Sequence, residues 1–330
     1  MKKYCGLILI AMMAFVSVLS GCSSSSTTGE QAANEDGKSE TRNSYKFGIV
    51  LKQLNIEYWK IVMAGAKDAA KKYDVEVEFL GPPQETQYEQ QIKMMEDQIA
   101  TGVDALIVAP SQPEAVLPVL NSAHQQGIPT VLVDTDAKFE DKVSFVGTGN
   151  LDAGKLGGEF LSNKVKNGEK VAILRGQMGS KTHDERVDGF KKALKDKKLK
   201  FIIQDAQSDR EKAVNIMEDI LTANSDVKAV YATSDEMALG AIKALKNKGH
   251  TDIPVIGFDG TPNGLAALQN KEMLANVAQD PYMIGYLGVE TAYKAKKGEK
   301  VEKRIDSGAK VITEESVAEE IEKIKSYLGQ

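Results

Sequence analysis

From residue 46 onward, short apolar runs alternate with segments in which apolar residues recur every three or four positions. KFGIVL (46–51) reads as a strand, and the segment after it places Val62, Ala66, Ala69, Ala70 and Tyr73 on one helical face. VEVEFL (75–80), DALIVA (104–109) and IPTVLV (128–133) are further strands, with Ile92, Met95 and Ile99 marking a helix between them. After VSFVGTGN (143–150) the rhythm restarts with EKVAIL (169–174), LKFIIQ (199–204), VKAVYA (227–232) and IPVIGF (253–258). Helices are expected over 184–196, 210–223 and 235–247, with Asp235 as an N-cap or first-turn residue. Strand–helix alternation predicts a parallel sheet, and strands apolar throughout predict helices on both its faces. Two such series predict an α/β protein of two doubly wound lobes. In these sheets ligands bind beyond the carboxyl ends of the strands. Asp134, Ser234 and Asp259 all follow such ends.

The first 44 residues break this pattern. MKK followed by GLILIAMMAFVSVL is a basic head on an apolar run too short for a comfortable span, which reads as a secretory signal over 1–21. It ends in LSGC, which resembles a lipobox, so Cys22 is the expected lipidated residue, carrying palmitate or a similar chain. Residues 23–44 have almost no large apolar side chain and read as a flexible tether. The other cysteine, Cys5, would leave with the signal, so no disulfide is expected in the mature chain. With 330 residues, 42% of them hydrophobic, the chain has room for two domains. The net charge of -5, with both signs interspersed, gives a nucleic-acid partner no support.

Three catalytic patterns are approached and missed. GFDGT is close to the D-x-D-G-T of aspartate-based phosphoryl transfer, but Gly257 occupies the nucleophile's place. GNLDAGKL has P-loop spacing through Gly149, Gly154 and Lys155, yet Leu156 replaces the residue that holds Mg²⁺. Its small residues read better as a strand-to-helix connection that packs closely. The three histidines, His124, His183 and His250, lie too far apart for a metal site, and His183 is placed either in a cleft or in a loop. No catalytic residue, metal or cofactor is expected. One acidic pair, Asp134 and Asp259, leaves glycoside hydrolysis open as an alternative.

The groups that remain suit hydroxyl-rich ligands. Carboxylates accept from hydroxyls, Arg donates through a rigid fork, and an aromatic ring covers the C–H face of a pyranose. SDEMALGAIKAL (234–245), VIGFDGTPNG (255–264), ANVAQDPYMIG (275–285) and ERVDGF (185–190) together resemble the type I periplasmic sugar-binding proteins of ABC importers, and the likeness runs from Tyr45 to the C-terminus. The resemblance implies two Rossmann-like lobes joined by a three-crossing hinge, one lobe at 45–148 plus 281–308, the other at 149–280 plus 309–330. Crossings are expected near 148–150, 279–281 and 307–310. It also implies roles: Asp134, Arg186, Asp259 and Gln279 as polar ligand contacts, Tyr58 and Trp59 as a stacking pair, and Phe258 as an apolar neighbour. For Tyr58 and Trp59 the competing expectation is simple core packing.

Departures from the ribose-binding pattern fall at Lys52, Ile56, Ala109, Thr135, Ser208 and Ser234; Ser208 stands where an aromatic closes the far face of the sugar. Lys52 and Ser234 are nonetheless candidate ligand residues, although Lys52 is as well placed to snorkel into solvent. VLKQLNIEYW is similar to the start of the allose-binding branch, so a hexose or related polyol is expected. The implied partners are a monosaccharide, an ABC permease with its ATPase, and the membrane through Cys22, for a monomeric extracytoplasmic protein. A sugar-sensing subunit for a membrane receptor is the alternative. A repressor is disfavoured, because a signal and tether stand where a DNA-binding helix would be.

Overall fold

The computed structural model describes residues 44–330. The signal segment, Cys22 and the tether through residue 43 lie outside the described residues.

In chain order the first elements are β1 (Tyr45–Val50), α1 (Glu57–Tyr73), β2 (Val75–Leu80), α2 (Tyr88–Ala100), β3 (Ala105–Val108), α3 (Leu117–Gln125), β4 (Thr130–Val133) and β5 (Ser144–Gly147). The second series is α4 (Asn150–Ser162), β6 (Lys170–Arg175), α5 (Lys181–Ala193), β7 (Lys200–Asp205), α6 (Arg210–Ala223), β8 (Val227–Ala232), α7 (Asp235–Lys248), β9 (Val255–Asp259), α8 (Pro262–Gln269) and β10 (Ala275–Gln279). The chain closes with α9 (Pro281–Lys296), β11 (Arg304–Asp306), β12 (Ala309–Ile312) and α10 (Val317–Leu328).

Two six-stranded sheets result, in the orders β2-β1-β3-β4-β5-β11 and β7-β6-β8-β9-β10-β12. Every pairing is parallel except β10 with β12. Each sheet is sandwiched between helices, and apolar side chains fill both of its faces. The order reverses beside β1 in one sheet and beside β6 in the other, and crevices at such points receive ligands. Helix α5 begins at Lys181, three residues before the sequence pattern predicts, because its polar first turn carries little apolar period. Strands β10 to β12 have no separate apolar run in the sequence and are defined by their partners.

Among the described residues the chain passes between the sheets three times: from β5 into α4, from β10 into α9, and from β11 into β12. Two crossings are tied together where the Thr148 hydroxyl lies 3.1 Å from that of Ser307 and donates to the Gly308 carbonyl. The third is held by Lys323 of α10, 2.8 Å from Asp280.

The small residues of GNLDAGKL do the packing expected of them. A Cβ on Gly154 would lie 2.2 Å from the Arg186 carbonyl, and one on Gly189 would lie 2.0 Å from the Leu151 carbonyl. Helices α4 and α5 therefore touch backbone to backbone, which fixes the position from which Arg186 extends. Among the described residues no helix is long and apolar enough to cross a membrane.

Candidate functional site: a charged cavity between two sheets

A small cavity, lined by side chains from both sides, lies where the strand ends of the two sheets converge. Seven of the nine candidate residues line it: Lys52, Tyr58, Trp59 and Asp134 from the first sheet's side, and Arg186, Ser234 and Asp259 from the second. Phe258 and Gln279 sit one layer further in. Phe258 lies beneath the Arg186 guanidinium, 3.9 Å from it, and the Gln279 amide donates to Asp259 at 2.8 Å.

On the first side Asp134 is the organising acid. It follows β4 with φ +62°, a left-handed conformation that strains a residue with a side chain and turns this one out of the strand direction. Its carboxylate accepts from the Tyr58 hydroxyl and the Thr135 hydroxyl, each at 2.8 Å, and pairs with Lys52 at 3.1 Å. Lys52 also pairs with Glu85 at 3.3 Å. The lysine therefore faces the cavity, with 4% of its side chain exposed. Burial works against its charge, but Asp134 and Glu85 outweigh that and raise its pKa. Burial likewise opposes ionisation of Asp134, yet Lys52, Arg186 and the two hydroxyls hold its pKa below the usual value.

Linkage fixes the sign. The depressed Asp134 contributes stability above its unfolded pKa that is lost as pH falls through the folded one; the raised Lys52 contributes below its own unfolded pKa. The pair is intact across the neutral range. Lys52→Met should therefore cost about 3–5 kcal/mol at neutral pH by stranding a buried carboxylate, and less in acid, where the variant's Asp134, without Lys52, protonates more readily than the wild type's. Urea denaturation at neutral and at acid pH checks this; an equal loss at both would contradict it.

On the second side Arg186 spans three partners. Its Nε donates to Asn150 at 2.8 Å, and its Nη1 donates to the Thr233 carbonyl at 2.8 Å and to Asp259 at 3.4 Å. Asp259 closes β9 with φ +114°. Burial first of all raises its carboxyl above the usual carboxylate range, against the pull of Arg186 and Gln279. Asp235 lies behind it, 1% exposed, and accepts from the Thr261 backbone and hydroxyl, both at 2.8 Å, and from Asn276. Gly257, the residue in the nucleophile's place, is required by this packing: a Cβ there would come within 2.8 Å of Asp235 and Met273.

Several groups keep hydrogen-bonding capacity toward the cavity. The Ser234 hydroxyl is buried without a partner. Arg186 Nη2, the second oxygens of Asp259 and Glu85, and the Gln53 amide are committed to none of the bonds above, and all five residues line the space. Gln53, Glu85 and Asn150 were not legible as site residues. His183, placed in the sequence either in a cleft or in a loop, lies in α5, 5% exposed, and lines the cavity. Tyr58 and Trp59 meet edge to face at 5.0 Å, so their rings cannot both lie flat against one ligand.

The two sides also meet directly. Glu57 accepts from the Asn263 backbone at 3.0 Å and its side-chain amide at 2.7 Å, and Ser180 donates to Glu85 at 3.4 Å.

Two α/β lobes, three crossings and a polar cavity between facing strand ends define a two-lobed binding protein of the type I periplasmic class. The profile of the periplasmic binding protein domain matches residues 47–300. A ribose import binding protein of Escherichia coli is 35% identical over 268 residues, covering 81% of this chain and 90% of the relative. One from Bacillus subtilis is 33% identical over 315 residues, covering 95% and 100%. The solved structure of an ABC transporter solute-binding protein from Agrobacterium vitis, with bound D-fucose, superimposes with a TM-score of 0.80 at 31% identity, covering 82% of this chain and 96% of that one. The chain belongs to the periplasmic binding protein family, and membership implies an extracytoplasmic protein.

Proposed function

We propose that this protein is the substrate-binding lipoprotein of an ABC sugar importer, taking one neutral monosaccharide or cyclic polyol into the cavity and delivering it to a membrane permease. The observation that carries this reading is the set of uncommitted polar groups around the cavity, both donors and acceptors, beside a buried tryptophan. A sugar hydroxyl is donor and acceptor at once, so it satisfies such a set. The family relatives are binding proteins for sugars by name, which supports the ligand class. Lys52, Ser234, Asp134, Arg186 and Asp259 hold hydroxyls in this reading, Trp59 packs on the ring, and Tyr58 serves chiefly to orient Asp134. Phe258 and Gln279 brace Arg186 and Asp259 from behind. Residues 45–148 with 281–308, and 149–280 with 309–330, move as the two lobes. Ligand shifts them toward the closed form because it contacts both. Cys22 tethers the assembly through its lipid.

One observation favours a second reading. Asp134 is held low and Asp259 is raised, and an acid pair split in this way is what a glycosidase requires. Both acids are engaged by cationic partners, which suits binding without turnover. A melting panel of monosaccharides and polyols tests the proposal. A ligand at about a thousandfold its Kd should add about 4 kcal/mol. Stabilisation by a sugar recovered unchanged supports binding; release of product from glycosides supports the hydrolase.

The raised Asp259 makes the affinity pH-dependent. The empty folded site holds a proton that the unfolded chain releases, so this group lowers stability as pH rises from the ordinary carboxylate range. Hydroxyl donors favour the carboxylate, so binding expels that proton, and affinity should rise with pH until Asp259 is ionised. Calorimetric Kd values should be weaker at about pH 5 than at about pH 8. The reverse order would remove Asp259 from the contacts.

A further inference from the structure

The aromatic residues lining the cavity are unevenly disposed. Tyr58 and Trp59 come from the first lobe, and the second lobe contributes His183 alone, with a serine at 208. The His183 ring is held on several sides. Its Nδ1 lies 2.8 Å from the Thr233 hydroxyl and its Nε2 lies 3.1 Å from the Ser208 hydroxyl. Ser208 reaches it from a loop in which Gln207 and Ser208 both have left-handed backbones, pinned by Asp205, which accepts from the amides of Gln207 and Met178 at 2.8 Å each. Gly176 makes room for the ring, since a Cβ there would lie 2.3 Å from its Cδ2 and Nε2.

With both nitrogens occupied, only carbon is left for the cavity. We infer that His183 is the second lobe's apolar wall, packing on one C–H face of a ring-shaped ligand whose other face meets Trp59. This rests on the sugar reading above and narrows it to cyclic sugars and cyclitols that expose C–H on both faces, with open-chain polyols discriminated against. The ring is uncharged as the role requires: burial, then the charges of Arg186, Lys52 and Arg175, hold its pKa well below the ordinary histidine value. A neutral imidazole whose nitrogens are filled offers the ligand neither a proton nor a lone pair.

The test is a titration of the ¹⁵N-histidine-labelled protein with the best ligand from the melting panel, alongside three variants. His183 nitrogen shifts should stay in place while its carbon-bound protons move and show contacts to sugar C–H protons. His183→Phe should bind within about threefold of wild type, while His183→Ala and His183→Gln weaken binding by about tenfold or more. Movement of the nitrogen shifts on binding would overturn the inference. So would a glutamine variant that binds like wild type, or a phenylalanine variant that melts like wild type yet binds as poorly as alanine. If wild type binds no sugar at all, the parent reading fails first, and that result is distinct from any of these.

Discussion

Asp259→Asn is expected to remove sugar binding, raising Kd by at least about a hundredfold, while leaving the empty protein folded and no less stable. The two effects separate because of where the acid sits. Asn keeps an oxygen in place to accept from Gln279 and Arg186, which now lie 2.8 and 3.4 Å from Asp259. It cannot offer a second acceptor oxygen to a ligand hydroxyl, and its amide points a donor where a donor must be received. In the empty site burial already raises the carboxyl, so removing the charge relieves a cost. Melting with and without sugar checks both halves. A variant that still shows the wild-type shift would place Asp259 outside the ligand contacts.

Arg186→Met is expected to damage folding as well as binding, by about 3–5 kcal/mol. Arg186 satisfies the Thr233 carbonyl, Asn150 and Asp259 from a position 3% exposed. Without it, the Thr233 carbonyl and the Asn150 side chain are buried without this donor, and Asp259 keeps Gln279. The loss should shrink when Asp259→Asn is added, because part of it is the contact between Arg186 and Asp259. Urea unfolding of the two single variants and the double checks this; strictly additive losses would show that the contact between Arg186 and Asp259 contributes nothing.

Much of the fold was legible because each strand of a doubly wound lobe is an apolar run with its own helix. The runs at β1, β2 and β8 stand out in the sequence within a residue of where the structure has them. Strands β11 and β12 were illegible for the opposite reason. Each is short and half exposed, and is a strand only because β5 or β10 lies beside it. The site shows the same division. Acids at strand ends are visible from position alone, so Asp134 and Asp259 could be found. Glu85 lies in a polar loop, GPPQETQ, with nothing to distinguish it from a solvated residue, and only the fold carries it to Lys52. The direction of Lys52 could not be read either, since a lysine after a strand points as its neighbours' charges decide. His183 was undecidable because burial of a first-turn residue depends on what the fold brings beside it, here Thr233, Ser208 and Gly176.

In the proposed function this cleft holds one neutral sugar and does not transform it. Titration calorimetry of the protein with the panel's best monosaccharide tests it most directly, with the sugar recovered and identified afterwards. One site per chain, a negative heat-capacity change from buried C–H surface, and sugar returned unaltered are the expected results. Absence of saturable heat with every neutral sugar and cyclic polyol, or recovery of a converted product, would contradict it.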